Sequence, residues 1–314
     1  MPAELSTPQV APFAVTRHWS SQLDDQATTA QSLLGPPATF KDNPGPAYIW
    51  RSDDRDRNIG ALHLLRKVKL GQCLDTLPER LTLAKSRSLG HAEFLELLLS
   101  DEVTRRDTHS ADLRAKTAGL DASMRFENWD DTAAVSFDRV IFDELVSLRF
   151  VEAAYNVLIL GPVGVGKTFL ATALGHAAVR RRYSVHFERA DQMFKRLKAS
   201  RLDNSHDAEM RKLLRVDHLL LDDFCLQPLD AADTADVYEL IVERHRHAAT
   251  VTTSNREPIE WLSLMADALL AQSAIDRLQS SAYELILEGE SYRSRQKPSP
   301  GDQTELSQRL RRRA

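Results

Sequence analysis

Residues 156–168 read Asn156-Val157-Leu158-Ile159-Leu160-Gly161-Pro162-Val163-Gly164-Val165-Gly166-Lys167-Thr168. An apolar run of strand length passes without a break into G-x-x-x-x-G-K-T. Phe169-Leu170-Ala171-Thr172-Ala173-Leu174 follows with helical composition. The glycines let backbone N–H groups turn inward around a chain of phosphates. The helix that follows aims the positive end of its dipole at the same place. Lys167 can reach terminal phosphate oxygens, and the Thr168 hydroxyl can ligate Mg²⁺. Gly161, Pro162, Val163, Gly164, Val165, Gly166, Lys167, Thr168 and Phe169 are therefore the candidate nucleotide-binding residues, with ATP and Mg²⁺ as the expected ligands. A glycine-rich strand-to-helix turn with no ligand would need both the lysine and the threonine by chance.

Working outward, further apolar runs alternate with amphipathic stretches. Candidate strands fall at 156–160, 184–188, 218–222, 250–254 and 284–287, and the intervals between them have helical patterning. Strands separated by helical crossovers imply a parallel sheet with flanking helices. His218-Leu219-Leu220-Leu221-Asp222-Asp223 is a buried strand ending in two acids. Beside a phosphate loop, Asp222 would position the metal and Asp223 would orient or deprotonate a water; the alternative is a solvated acidic turn. Thr250-Val251-Thr252-Thr253-Ser254-Asn255 ends in an amide that could hold a water at the same sheet edge, or simply close a strand. Arg277 lies in a helix-like segment and Arg293 just past the last strand. Arginines stabilise the charge that spreads during phosphoryl transfer, but local sequence equally allows two surface cations.

Composition bounds the rest. The 314 residues are 42% hydrophobic and 27% charged, with a net charge of −4. That balance excludes a uniformly basic nucleic-acid coat but allows a local basic patch. Two cysteines, Cys73 and Cys225, make neither a disulfide framework nor a four-thiolate zinc site. No apolar run has transmembrane length and the N-terminus lacks a signal-peptide pattern, so a cytoplasmic protein with no membrane partner is expected. Residues 1–60 hold seven of the 13 prolines and read as a disordered extension. Leu62, Leu65, Leu70, Leu74 and Leu77 then recur near helical spacing, and a second helix is expected from about His91 to Ala118 with an apolar stripe of Phe94, Leu95, Leu98 and Leu99. A connector containing Phe126-Glu127-Asn128-Trp129 and a helix near 138–149 lead into the phosphate loop. Residues 61–120 thus form a small helical domain, 121–297 the α/β domain, and 298–314 a basic flexible tail.

In motif order, the chain from about Ala61 to Lys297 resembles the IstB-type transposition helper ATPases, relatives of the DnaC helicase loaders in the AAA+ superfamily. The resemblance rests on 156–168, Leu-Leu-Leu-Asp-Asp-Phe at 219–224, Thr-Ser-Asn-Arg at 253–256, Asp-Arg-Leu at 276–278 and Gly-Glu-Ser-Tyr-Arg at 289–293. It implies an AAA+ (ASCE P-loop NTPase) fold, with a five-stranded parallel sheet ordered 5-1-4-3-2. It also implies roles: Lys167 and Thr168 as Walker A, Asp222 and Asp223 as Walker B, Asn255 as sensor 1, Arg277 as an arginine finger for a neighbouring subunit, and Arg293 as sensor 2. A finger supplied in trans implies a ring or spiral oligomer. The expected function is an ATP-hydrolysing helper that binds double-stranded DNA and recruits or regulates an integrase-type transposase; the alternative is a replicative helicase loader. Many AAA+ enzymes carry Glu where this chain has Asp223, which implies slow hydrolysis.

The resemblance also draws attention to 178–201, where eight cations face only Glu188 and Asp191. The family's branch carries a helical insertion there that lines the DNA path. Met193, Phe194 and Leu197 would pack inward and leave Lys195, Arg196, Lys198 and Arg201 available to phosphates; the alternative is an ordinary solvated helix. Residues 202–239 carry ten acids against three cations, so the net charge conceals the basic segment.

Overall fold

The computed structural model describes residues 63–130 and 135–295. The extension expected at 1–60 and the tail expected at 298–314 lie outside the described residues. The chain divides into two compact units between Leu113 and Arg114.

The first unit contains α1, Cys73–Arg87, and most of α2, His91–Thr117. The leucines that recur near helical spacing from Leu62 to Leu77 span a turn near Lys69, whose φ is 61°. One ion pair joins α1 to α2, and a second group lies within α2. Arg80 grips Asp101 through two bonds of 2.6 and 2.9 Å. Glu102 is nearly buried and accepts from Arg105 and Arg106. The Arg105 bond, ahead of any other influence, holds that carboxyl down at about 2. The stripe expected on α2 is only partly buried: Leu98 and the neighbouring Leu97 face inward, whereas Leu95 and Leu99 are exposed.

The second unit is built on a five-stranded sheet. Its strands are β2, Asn156–Leu160; β3, Val185–Arg189; β4, His218–Asp222; β5, Ala249–Ser254; and β6, Ala282–Ile286. The order is β3-β4-β5-β2-β6 and every pairing is parallel. Counted within the sheet, this is the 5-1-4-3-2 order expected. β2, β4 and β5 are buried along their whole length, as continuous apolar runs between two helical layers must be. The helices are α3, Arg139–Val146; α4, Arg149–Glu152; α5, Lys167–Arg180; α6, Ala190–Ser200; α7, His206–Leu214; α8, Ala231–Arg244; α9, Pro258–Trp261; and α10, Ala268–Ser280. α5 is buried on nearly every side from Leu170 to Val179, which fits its run of Ala, Leu and Gly.

Sequence boundaries shift where a partner strand sets them. β6 begins two residues earlier than expected because it runs in register with β2, Asn156 opposite Ala282 and Leu160 opposite Ile286. The helix expected at 138–149 is two helices, separated at Leu148, where φ is 60°. A second sheet pairs β1, Val135–Ser136, with β7, Glu288–Gly289, antiparallel. Two-residue strands leave no periodic signal. Among the described residues no helix is long and apolar enough to cross a membrane, and both cysteines are free and buried.

His218 opens β4 with 0% exposure, and neither ring nitrogen has a hydrogen-bond partner. Burial, aided by the nearby Arg244 charge, pushes its imidazole down to about 3. The unfolded chain takes up this proton near pH 6.5 while the folded chain refuses it until about 3. Stability is therefore retained above the unfolded value and is lost as pH falls through that window, at about 1.4 kcal/mol per pH unit. His218→Leu is expected to remove one proton's worth of this slope. Urea unfolding at pH 7.5 and 5.5 measures it; equal slopes for the two proteins would remove the assignment.

Candidate nucleotide site

β2 ends at Leu160 and the chain turns through 161–166 before α5 begins at Lys167. Two glycines are required by what presses on the loop. Gly161 has φ 144°, and a Cβ there would stand 2.2 Å from the Leu287 carbonyl oxygen. Gly164 has φ 85°, and a Cβ would stand 2.1 Å from Ser291 Oγ. No L side chain fits either position. The segment after β6 thus lies directly on the phosphate loop. Leu287 N–H donates to the Leu160 carbonyl at 2.8 Å, and Tyr292 N–H to the Gly164 carbonyl at 2.9 Å.

Lys167 uses its three donors on Gly161 O at 2.9 Å, Pro162 O at 2.7 Å and Asn255 Oδ1 at 2.5 Å. Its ammonium lies below the ordinary lysine range because burial outweighs the attraction of Asp223 and Asp222. Thr168 Oγ1 donates to Asp222 Oδ1 at 2.8 Å. Asp222 is buried at the end of β4, and burial raises its carboxyl above the usual range despite hydrogen bonds from Thr253 and Thr168. Asp223 follows with φ 55° in the left-handed region and turns its side chain toward the loop. A hydroxyl and a carboxylate offer hard oxygens, and among the described residues no cluster of three or more His, Cys, Asp or Glu forms a fuller cage. That sparse set suits Mg²⁺, which completes its shell with phosphates and water. Thr168 and Asp222 are the residues that could hold it.

Residues 163–169, Asp222, Asp223 and Asn255 line one cleft of about 830 Å³, a volume suited to a nucleotide, whereas Gly161 and Pro162 do not line it and give their carbonyls to Lys167. Arg293 also lines it, and its charge depresses Lys167. Arg277 does not line it. Arg277 lies on α10 and donates through Nη1 to the carbonyl and hydroxyl of Ser273, one turn back. Asn128, Trp129 and Arg189 are among the lining residues that local sequence does not point to. Asn128 and Trp129 line the cleft, and the Trp129 ring meets Phe169 edge-on at 5.3 Å. Their aromatic and amide character is visible in the sequence, but nothing local ties them to a loop forty residues away. Arg189 ends β3 opposite Asp222 and also lines the cleft. It is one of the eight cations of the 178–201 segment.

That segment departs from expectation. Met193, Phe194 and Leu197 pack inward as expected. Three of the four cations beside them are held by tertiary carboxylates, however. Arg196 grips Glu188 at 2.6 Å and also pairs with Glu209. Lys198 bridges Asp230 at 2.9 Å and Asp233 at 2.8 Å. Arg201 holds Asp236 at 2.6 Å. Burial opposes the Glu188 charge, but hydrogen bonds from His186 and Arg196 prevail and hold it at about 2. Lys195 is the most exposed of the four, 3.3 Å from Asp191. The acids of 202–239 thus neutralise this helix through tertiary pairs that sequence spacing does not reveal.

Comparison with known proteins follows the same lines. Residues 63–299 match the family model described as IstB-like ATP binding protein. An insertion-sequence ATP-binding protein of Mycobacterium tuberculosis is 37% identical over 235 residues, covering 74% of this chain and 94% of that protein. The insertion sequence IS21 ATP-binding protein of Pseudomonas aeruginosa is 32% identical over 238 residues, covering 76% and 90%. Among solved structures, the DnaC helicase loader is 18% identical with a TM-score of 0.43, covering 48% of this chain and 87% of that one. The DnaA replication initiator bound to AMPPCP and single-stranded DNA is 21% identical with a TM-score of 0.45, covering 55% and 52%. With its family model matched over three quarters of its length, its phosphate loop backed by two strand-end acids and its sheet in the expected order, this chain belongs to the IstB-like ATP-binding proteins.

Proposed function

We propose that this protein is a Mg²⁺-dependent ATPase that serves an insertion-sequence transposase. It acts in the cytoplasm, where it binds double-stranded DNA, assembles on it as a ring or spiral, and recruits or regulates an integrase-type transposase. Residues 61–120 are the adaptor that meets the partner, and 121–297 are the ATPase. The observation that carries the reading is the convergence of Lys167, the Thr168–Asp222 pair, Asp223 and Asn255 on one cleft.

Each residue has a chemical task. The loop amides and Lys167 cradle the phosphates, whose oxygens take the place of the carbonyls and the Asn255 oxygen that Lys167 now holds. Thr168 and Asp222 hold Mg²⁺, which when bound neutralises phosphate charge. Asp223 orients the attacking water and accepts its proton, and the Asn255 amide fixes the same water. Arg293 from the same chain and Arg277 from a neighbour stabilise the charge that spreads in the transition state. Asp223 is shorter than Glu by one methylene, so turnover is slow and rises with DNA-driven assembly. Since Arg196, Lys198 and Arg201 are paired, DNA contact through this helix requires phosphates to compete with carboxylates. That competition weakens binding through this helix.

The test measures ATP hydrolysis without DNA, with double-stranded DNA and with single-stranded DNA, while particle size is followed. Stimulation by duplex together with growth in size is expected. A preference for single-stranded DNA would favour the helicase-loader alternative, and a protein that stays monomeric on DNA would remove the assembly mechanism. Lys167→Ala is expected to lower hydrolysis about a hundredfold or more, because the main cation on the phosphates is lost. Unchanged turnover in that variant would overturn the site.

A further inference from the structure

We infer that Thr253 is a positioning residue whose single hydroxyl sets both acids of the site; the inference rests on the ATPase reading above. The parallel ladder between β4 and β5 ends at Leu221 opposite Thr252. Asp222 stays opposite Arg189 of β3, but it and Asp223 lie beyond the last ladder pair with β5. Thr253 takes over there. Its Oγ1 donates to Asp222 Oδ1 at 2.6 Å and accepts the Asp223 N–H at 3.0 Å. Its carbonyl accepts the Phe224 N–H at 2.9 Å. The residue is 1% exposed, so water does not compete for these bonds.

The two bonds do different things. Thr168 and Thr253 both donate to Oδ1 of Asp222, which fixes the rotation of that carboxylate. The bond to the Asp223 amide holds a non-glycine residue at φ 55°, a conformation that an L-residue keeps only when its surroundings impose it. Asp223 thereby departs from the strand direction and faces the cleft. Serine would preserve both bonds and valine would remove both at nearly constant volume. Thr252 supplies the internal control: it is equally buried on the same strand, but its hydroxyl has no hydrogen-bond partner.

The experiment compares Thr253→Val, Thr253→Ser and Thr252→Val with the wild type by two readouts. The first is amide hydrogen exchange of 222–224 in ligand-free protein. Exchange there is expected to quicken about tenfold or more in Thr253→Val alone, as the Asp223 amide loses its acceptor. The second is steady-state ATP hydrolysis. Thr253→Val is expected to lose about tenfold to a hundredfold in kcat with KM nearly constant, while Thr253→Ser and Thr252→Val stay near wild type. Wild-type exchange and kcat in Thr253→Val would overturn the assignment, as would an equal loss in Thr253→Ser. A wild type that hydrolyses no ATP would overturn the ATPase reading and the inference together; an active wild type with an unaffected Thr253→Val overturns the inference alone.

Discussion

Arg244→Met is expected to leave little soluble folded protein. Arg244 ends α8 and is 2% exposed, yet among the described residues no carboxylate lies within ion-pair distance of it. Its guanidinium instead gathers acceptors from three places. Nη1 donates to Leu213 O at 2.8 Å, to Leu214 O at 3.5 Å and to Val216 O at 2.8 Å. Nη2 donates to Ala249 O at 2.6 Å, and Nε to Thr250 Oγ1 at 3.0 Å. Leu213 and Leu214 end α7, where carbonyls have no partner within the helix and the dipole favours a cation. Val216 leads into β4, and Ala249 opens β5. One side chain thus ties a helix end to the starts of two central strands. Burial lowers its guanidinium to about 10, still well above neutral pH, so the group stays charged. Methionine would abolish the cost of burying that charge but would leave the carbonyls unpaired. At about 1–3 kcal/mol for each buried unsatisfied group, the loss approaches the whole stability of a typical domain. Arg244→Lys should fall between the two, because one ammonium has three donors and cannot span the same fork. Solubility and the urea midpoint report the effect; a wild-type midpoint for Arg244→Met would show that the carbonyls find other partners.

Nothing in the sequence around Arg244 announces this. Glu243-Arg244-His245-Arg246-His247 reads as a solvated polar turn, because charge is normally exposed. His218 has the same character, a polar residue opening a run of leucines. What the sequence does make legible is local. The phosphate loop combines strand, turn and helix signals within thirteen residues, so its chemistry follows from neighbours along the chain. Strand-end acids and amides follow from it too, since a parallel sheet gathers strand C-termini at one edge. The cations of α6 defeated the same reasoning because their carboxylates lie on β3, α7 and α8 and around the start of α8. Charge counted along a segment is a poor guide to charge presented in space. Trp129 and Arg189 enter the cleft through packing and strand register, and Thr253 matters because a ladder stops one residue before it.

Arg277→Ala is expected to lower hydrolysis by about a thousandfold or more while nucleotide binding is retained, the scale on which an arginine supplied to a transferring phosphoryl group acts. The geometry within one chain sets the terms of that expectation. Arg277 does not line its own cleft, and its Nη1 is engaged by Ser273 on its own helix. A loss confined to turnover, with affinity intact, therefore calls for a second subunit whose phosphates Arg277 reaches. The sharpest measurement mixes two inactive variants. Lys167→Ala subunits lack a working phosphate loop but keep the finger, and Arg277→Ala subunits keep the loop but lack the finger. In an equal mixture that assembles at random, about a quarter of the interfaces would join an intact loop to an intact finger. Hydrolysis should then reappear, in proportion to assembly, at DNA concentrations that give oligomers and not below them. An Arg277→Ala protein active as a monomer would remove the trans role. A mixture that stays silent although both variants co-assemble would show that Arg277 serves the fold of α10 and not a neighbour's phosphates.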